Sequence, residues 1–434
     1  MTPRAPILTL TALLGAGCVS YNARTGNAMG AFESGRFGAA TERFEKALDD
    51  GPPFLRGAEI GMVELVRGNW PAAVEALTAA AEAVEDVERE ALVSPENAGE
   101  LLLSWTLNEG FTEYEGEAYE RAMLHACLGL AYLALGKRED VRVEARRVDP
   151  LLTTYEELYE TRYAAGGLAH ALSAFTYELD EDWGDAYIDW QRMADKGIGG
   201  ELAGRSLVRL SRALGRTEDH ARWVERFGDS PPPPQDSAKV IVIAGVGLGP
   251  RKEEARLDLP TGDGVLSWAV PVIRLRPQPV AHLVLESPLH GARVRTSLLE
   301  DVGTVAKRNL EDRVAWMAAK STVRTFLKRG LREKLHDEHG DFGAVVGDLF
   351  NILTERADLR AWTTLPNSWQ AARLFVPPGP VDLTLEAPGA ARVALGAFEL
   401  EPGETLFVFA RTLDRRLYAH VIGGQPLEIS TTNP

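Results

Sequence analysis

"GRFGAATERFEKALDDGP", Gly35 to Pro52, is followed at an offset of 33 residues by "GNWPAAVEALTAAAE", Gly68 to Glu82. The two superpose Gly35 on Gly68, Phe37 on Trp70, Ala40 on Ala73, Phe44 on Leu77 and Ala47 on Ala80. Each residue type has a physical reason to be there. Glycine permits the turn between two helices, alanine lets the helices of a hairpin approach, and a large apolar side chain four residues on fills the groove. A single unit of this kind cannot bury its own apolar face, so recurrence implies a stack.

The period is close to the tetratricopeptide (TPR) length of 34 residues. It returns in "LGLAYLALGKREDVRVEARRVDP", where Gly129, Tyr132, Gly136 and Pro150 keep register and Val141 replaces the small residue. "DWGDAYIDWQRMADKG" sets Ala186 and Trp190 four apart, and "LSRALGRTEDHARWVERFGD" is a degenerate last copy. Residues 19–228 therefore predict an all-α, TPR-like helical hairpin array, whose curvature offers an extended concave face to a partner. Tyr114, Glu115, Glu117 and Tyr119 interrupt the pattern, being too polar and aromatic for a core helix. They read either as a loop capping the stack or as an interaction loop for a cationic or sugar-like group.

The helical pattern stops at "GDSPPPPQDSAK", Gly228 to Lys239. Four consecutive prolines donate no backbone hydrogen bonds and favour an extended spacer, so residues 229–238 read as a linker between separately folding halves. Residues 239–434 then alternate in the manner of strands, beginning with "KVIVIAGVGLGPRKEEARLDLP", and predict a β-rich α+β domain. A helical insertion occupies about 297–357. A Ser297/Glu300 capping box opens it, Val302, Val305, Leu310, Val314 and Met317 form its first stripe, and Val345, Val346, Leu349, Phe350 and Leu353 its second. The strands on either side are too few to close a core alone, so they are expected to pair across it. Arg356, Asp358 and Arg360, at the return into the sheet, read as a structural charge cluster.

Chemistry is sparse. Gly245 to Gly249 alternate glycine with apolar residues, but Pro250 follows where a phosphate-binding helix would have to open, so a Gly-rich strand connection is the better reading. His336, Asp337, Glu338 and His339 lack a third ligand and read as a solvated helix end. Cys127 lies in an apolar helical stretch and reads as a small buried hydrophobe. No motif places a Ser-His-Asp, Cys-His or paired-histidine arrangement, so no catalytic, cofactor-binding or metal-binding residue is expected. A net charge of −16 argues against nucleic acid as a partner.

The N-terminus carries an early Arg4, an uncharged run from Ile7 to Leu14, and then Gly15, Ala16, Gly17 and Cys18. That run is far shorter than the roughly 20 residues a membrane-spanning helix needs. Residues 1–18 read as a lipoprotein signal peptide with Cys18 as the lipidation site. Gly15 departs from the bulky residue usual three positions before such a cysteine, and Val19 in place of aspartate points to the outer membrane, facing the periplasm.

"YEGEAYERAMLHACLGLAYLALGKREDVRVEARR", "WGDAYIDWQRM", "VGLGPRKEEARL", "NLEDR" and "RADLRAWTTLPNSWQAARLFVPPG" follow one another in this order. Together they resemble a family of bacterial TPR-containing envelope lipoproteins to which no activity is assigned. The resemblance implies an envelope location and, through neighbouring genes for lipoproteins that activate penicillin-binding proteins, a link to cell-wall synthesis and proximity to peptidoglycan. The expected function is a membrane-anchored scaffold that binds an envelope protein. A glycan- or peptidoglycan-binding module is the alternative, motivated by Tyr114 to Tyr119, and an envelope hydrolase the weaker third.

Overall fold

The computed structural model describes residues 20–86, 88–89, 114–158, 161–261, 264–320 and 358–427. The helical half is a run of antiparallel pairs: α1 (Tyr21–Glu33) with α2 (Phe37–Ala47), α3 (Pro53–Arg67) with α4 (Trp70–Glu82), α5 (Ala118–Ala134) with α6 (Arg138–Leu158), α7 (Gly167–Leu179) with α8 (Trp183–Asp195), and α9 (Gly200–Ala213) with α10 (Thr217–Phe227). Ala40, Phe44, Ala73, Leu77 and Ala80 are all fully buried, so the aligned small and large residues do sit at the helix crossings.

The turn within each pair repeats as well. Gly35, Gly68, Gly136 and Gly215 hold φ between 66° and 82°, each two residues before the second helix, and Glu181 takes the same place with φ 59°. Gly35 and Gly68 are required for a second reason. A Cβ on Gly35 would lie 2.0 Å from the Tyr418 hydroxyl, and one on Gly68 would lie 2.7 Å from the His420 ring. The turns of the array are thus pressed against a strand more than 350 residues away in the chain.

Strands β1 (Ala238–Val246), β2 (Arg251–Thr261), β3 (Gly264–Arg274), β4 (Val284–Ser287), β5 (Ala292–Arg295), β6 (Ser297–Asp301), β7 (Ser368–Val376), β8 (Gly379–Ala387), β9 (Ala391–Leu400), β10 (Thr405–Leu413), β11 (Arg416–Ile422) and β12 (Gln425–Pro426) build the second half. One sheet has the order β11-β10-β1-β7-β6, a second β12-β9-β8-β4-β5, and β2 and β3 form a separate hairpin. Pairing does cross the insertion. β7 runs antiparallel to both β1 and β6, and β1 lies parallel to β10 in the register Ile241 to Phe407 and Ile243 to Phe409.

β1 explains the architecture. Its near-continuous apolar run is the signature of a strand buried on both faces. Val240, Val242 and Ala244 point to a sandwich core with Val408, Leu374, Leu383, Leu385 and Phe398. Ile241 and Ile243, on the other face, join Phe407, Phe409, Trp369 and Leu413 in one continuous apolar cluster with the helices. Phe175 meets Trp190 at 5.3 Å and Phe407 at 6.2 Å between centroids, Trp70 meets Phe409 at 5.9 Å, and Phe37 meets Tyr418 edge-on at 4.9 Å. The array therefore carries the chain's own sheet, through Phe175 of α7 and through the N-terminal residues of α2 (Phe37) and α4 (Trp70).

Three expectations are corrected by this packing. The prolines connect the halves without separating them, because the array and the sheet share a core. The array's inner face is filled by that sheet and is not open to a partner. Ser297 and Glu300 belong to strand β6, and the following helix, α11 (Val302–Lys320), is capped by Asp301, whose Oδ1 accepts the Thr304 N–H at 3.0 Å. Glu300 is buried at the start of α7, facing the backbone N–H groups of Gly166, Gly167 and Leu168; burial pushes its carboxyl up to about 7. The Gly-rich segment after β1 makes room for a side chain: Gly245 and Gly247 carbonyls accept from the buried Arg411 guanidinium.

Phe407→Ala should cost about 3–5 kcal/mol, as large aromatic-to-alanine changes in cores do. Helical and β-sheet signals in circular dichroism should then fall together at a lower temperature; melting of the two at separate temperatures would show that the core is not shared. Glu181→Gly should raise stability by about 1 kcal/mol, because a non-glycine residue in the left-handed region costs that much. Chemical denaturation of the two proteins side by side measures it.

Candidate interaction site

The stretch from Tyr114 to Glu120 is the N-terminus of α5. Glu117 is its N-cap and forms a reciprocal capping box with Glu120, whose Oε2 accepts the Glu117 N–H at 2.9 Å. Tyr114, Glu117 and Tyr119 are buried, and Glu115 is partly exposed. The Tyr114 hydroxyl donates to Glu120 Oε2 at 2.6 Å and the Tyr119 hydroxyl to Oε1 at 3.3 Å. Burial, then the Glu120 charge, pushes both phenols well above their ordinary range. Glu117 takes the Lys252 ammonium and Arg313 Nη1, the latter at 2.8 Å. Lys252 Nζ and the Arg360 guanidinium lie 5.4 and 5.1 Å from the Tyr114 ring centre. The stretch read either as a loop capping the stack or as an interaction loop thus turns inward, and its cations come from β2, α11 and the segment before β7.

That segment is the tightest part of the seam. The Asp358 carboxylate accepts Arg360 Nε at 3.0 Å and Nη2 at 2.8 Å, and it is held below the usual carboxylate range because hydrogen bonds from Arg360 and the charge of Lys252 outweigh burial. The chain then passes through the interior as irregular structure from Ala361 to Leu365. Buried backbone N–H groups must find acceptors, and here helix carboxylates supply them. The Trp362 N–H donates to Glu120 at 2.7 Å, and the Thr363 and Thr364 N–H groups to Glu59 at 2.7 and 3.0 Å. Further along, Glu178 accepts from Arg373 at 2.8 Å, Arg209 at 2.6 Å and the Trp190 ring N–H at 2.9 Å. Arg356, Cys18 and residues 336–339 lie outside the described residues.

Two side-chain clusters carry no signal in the 34-residue alignment. His125 Nδ1 is 2.6 Å from Glu144 and its Nε2 is 3.1 Å from Glu88. His170 Nδ1 is 3.1 Å from Asp189 and its Nε2 is 3.0 Å from Asp149. Each histidine sits on the first helix of a pair with an acid 19 residues later on the second, a recurrence visible in the sequence once the two hairpins are aligned by their histidines. Burial pulls the His125 imidazole down, but hydrogen bonds to Glu144 and Glu88 outweigh it and hold it at about 9. His170 is raised by the same contest with Asp149 and Asp189. The His125 ring is therefore charged at neutral pH.

His170 forms part of the floor of an open cleft of about 400 Å³ between α6, α7 and α8, with Ser173 one turn further along α7. Both of its ring nitrogens are occupied by carboxylates, so in this arrangement it has none with which to deprotonate the Ser173 hydroxyl. Among the described residues no group of three or more metal-type side chains converges.

No family model matches the chain, and no curated protein does. Among solved structures it is similar to PilW, described as a widely conserved type IV pilus biogenesis factor, at 14% identity over 47% of this chain and 90% of that one, with a TM-score of 0.25. It is likewise similar to PilF of Pseudomonas aeruginosa, at 15% identity over 47% of this chain and 89% of that one, with a TM-score of 0.22. At these values neither fold nor function is carried over from them. The helical pairs rest on this chain's own geometry.

A group whose pKa is raised on folding contributes stability that is complete below its unfolded value and lost as pH rises through its folded one. For His125 that window runs from about 6.5, the unfolded value, to about 9. His125→Gln should lower stability at pH 7 and flatten its decline between pH 7 and 9. Denaturation midpoints across that range, measured for both proteins, check the slope.

Proposed function

We propose that this protein is a membrane-anchored scaffold of the bacterial envelope, held by acyl chains on Cys18, that binds a protein partner with its outward-facing surfaces. The observation that carries this reading is the placement of the array. Its inner side, including the N-terminal residues Phe37 of α2 and Trp70 of α4, is covered by the sheet, which leaves the opposite surface of the hairpins, with exposed positions on α2, α4 and α10, facing outward. The anchor supports it. From Cys18 to the start of α1 at Tyr21 the chain has three residues to extend, about 10 Å at most, so the first hairpin would rest against the membrane. Asn22 in that hairpin donates to the Lys252 carbonyl at 2.8 Å, which places the base of the β2–β3 ribbon beside it. No helix among the described residues is long and apolar enough to cross a membrane, so attachment in this reading falls to Cys18.

The link to cell-wall synthesis and the outer-membrane location belong to the same proposal and rest on sequence resemblance and Val19. The glycan-binding alternative loses its motive, because the Tyr114 and Tyr119 rings are enclosed within the chain.

Cys18→Ser should abolish labelling by a radioactive fatty acid in the native host and leave an unprocessed precursor; equal labelling of the variant would refute the anchor. Photo-crosslinkers at the exposed positions Glu45, Glu75 and Glu225, on α2, α4 and α10, should each capture the same envelope protein. Capture of no discrete partner from any of them would refute the scaffold.

A further inference from the structure

The β2–β3 ribbon belongs to neither of the larger sheets. Its strands pair antiparallel, from Arg251 with Arg274 at the base to Thr261 with Gly264 at the tip. Directly opposed residues of such a pair share a face, and so do residues two apart along a strand. One face therefore carries Ala255 with Val270, Leu257 with Trp268 and Leu259 with Leu266, while Lys252, Glu254, Arg256 and Asp258 of β2 fall on the other. The outer half of the ribbon is thus amphipathic, and the apolar stretch from Ala255 to Leu259 is about 14 Å long.

The base tells which face meets the body. Lys252, on the polar face, is buried against Glu117, the N-cap of α5, which also takes Arg313 of α11. Arg251, Glu253 and Arg274, on the face that further out becomes apolar, pair among themselves at 2.6 and 3.5 Å, and both arginines are exposed. The polar side therefore lies toward the array and the apolar side away from it. Two contacts give the direction of the tip. Asn22, at the N-terminal end of α1, donates to the Lys252 carbonyl at 2.8 Å, and Glu33, at its C-terminal end, lies 3.3 Å from Arg276, beyond the foot of β3. Helix and ribbon run side by side, with the ribbon's tip on the side of the helix N-terminus. From Lys252 the ribbon continues about 30 Å to Thr261, past the end of α1 from which the chain leads back to Cys18.

We propose that the apolar face of this ribbon docks on a lipid bilayer, the same membrane that holds the acyl chains of Cys18; the inference rests on that anchor. The chain between Cys18 and Tyr21 spans about 10 Å at most, so the anchor brings the ribbon's outer half to the lipid surface. The apolar stretch is about half the roughly 30 Å thickness of a hydrocarbon core, which suits entry into one leaflet and not passage across. The free edges of a two-stranded ribbon lead to the same depth, because unpaired backbone groups are costly in hydrocarbon. Trp268 belongs to a residue type that gathers at the membrane–water boundary. From Arg251 to Arg274 the sequence carries four cations and four acids. With no net charge, attachment comes from apolar contact and not from attraction to anionic headgroups.

The test places an environment-sensitive fluorophore on Leu257→Cys, Leu259→Cys and Leu266→Cys, and on Asp258→Cys and Ser267→Cys, in the acylated protein on vesicles of phosphatidylethanolamine and phosphatidylglycerol. Cys127 is fully buried and stays unlabelled. Spin-labelled lipid should quench the first three positions several-fold more than the last two. Equal quenching at all five would overturn the proposal. So would emission at the first three that is already blue-shifted without vesicles and unchanged by them, since the chain itself or a second copy would then cover the face. A second arm separates the ribbon from the anchor. The chain without residues 1–18, which has no acyl group, should still sediment with these vesicles and be little affected by high salt. Leu259→Asp combined with Leu266→Asp should lower that partition by about tenfold or more, with an unchanged thermal midpoint to show that the variant is folded. No sedimentation, or sedimentation that the double variant leaves intact, would overturn the ribbon's role while leaving the acylation of Cys18 untouched; absence of acylation with the sedimentation retained would refute the anchor alone.

Discussion

The structure depends on how one irregular segment is held. Ala361 to Leu365 run through the interior with no ladder of their own, and a buried chain in that state is unstable unless every N–H finds an acceptor. Glu59 and Glu120, from two separate helical hairpins, provide acceptors for Trp362, Thr363 and Thr364. Burial drives both carboxyl groups upward, joined at Glu120 by the charge of Glu117, while hydrogen bonds from Thr364, Thr363 and Tyr21 on Glu59, and the charge of Lys252 with hydrogen bonds from Tyr114 and Trp362 on Glu120, pull the other way. The position of Trp362 follows from this. Its ring packs edge-on to Phe54 at 6.4 Å only because the backbone on either side is fixed.

The same device recurs along the seam in ionic form. Glu178 with Arg373 and Arg209, and Glu117 with Lys252 and Arg313, join helix to strand, hairpin or insertion. Pairs of this kind contribute little net stability, since desolvation offsets much of their attraction. Their effect is on alignment. An apolar face slides over another at small cost, whereas moving a buried carboxylate off its arginine exposes an unmatched charge to the core. The aromatic contacts supply the adhesion between array and sheet, and the carboxylates determine where the sheet sits.

The repeat could be read from sequence because it depends on local residue types. Glycine with a positive φ, an alanine at a crossing and an aromatic after the turn each leave a mark at fixed spacing. Strand β1 was equally legible from its apolar run, and so was the need for strands to pair across the insertion. The shared core was not. Ile241, Ile243, Phe407 and Phe409 are ordinary strand residues, and nothing in their spacing says whether the face they form meets a second sheet or a layer of helices. The polarity of Tyr114 to Glu120 misled for a related reason: acids and phenols mark a surface loop unless cations distant in sequence, such as Lys252 and Arg313, come to meet them. The paired histidines were missed because their spacing follows contacts between hairpins that insertions have set at 45 residues rather than 34.

The parallel pairing of β1 with β10 governs the order in which the chain can mature. β1 lies in the centre of its sheet, yet one of its neighbours does not exist until residue 413 has been made. The array, complete by Phe227, must hold its inner aromatic face uncovered while nearly two hundred further residues are added. Contacts so distant in sequence close slowly, and exposed apolar surface in the interval invites association with other chains. Pairing of the C-terminal strands, rather than formation of the repeats, is therefore the step that covers the array's apolar face, and a chaperone that shields the array until then would act as a temporary substitute for the sheet.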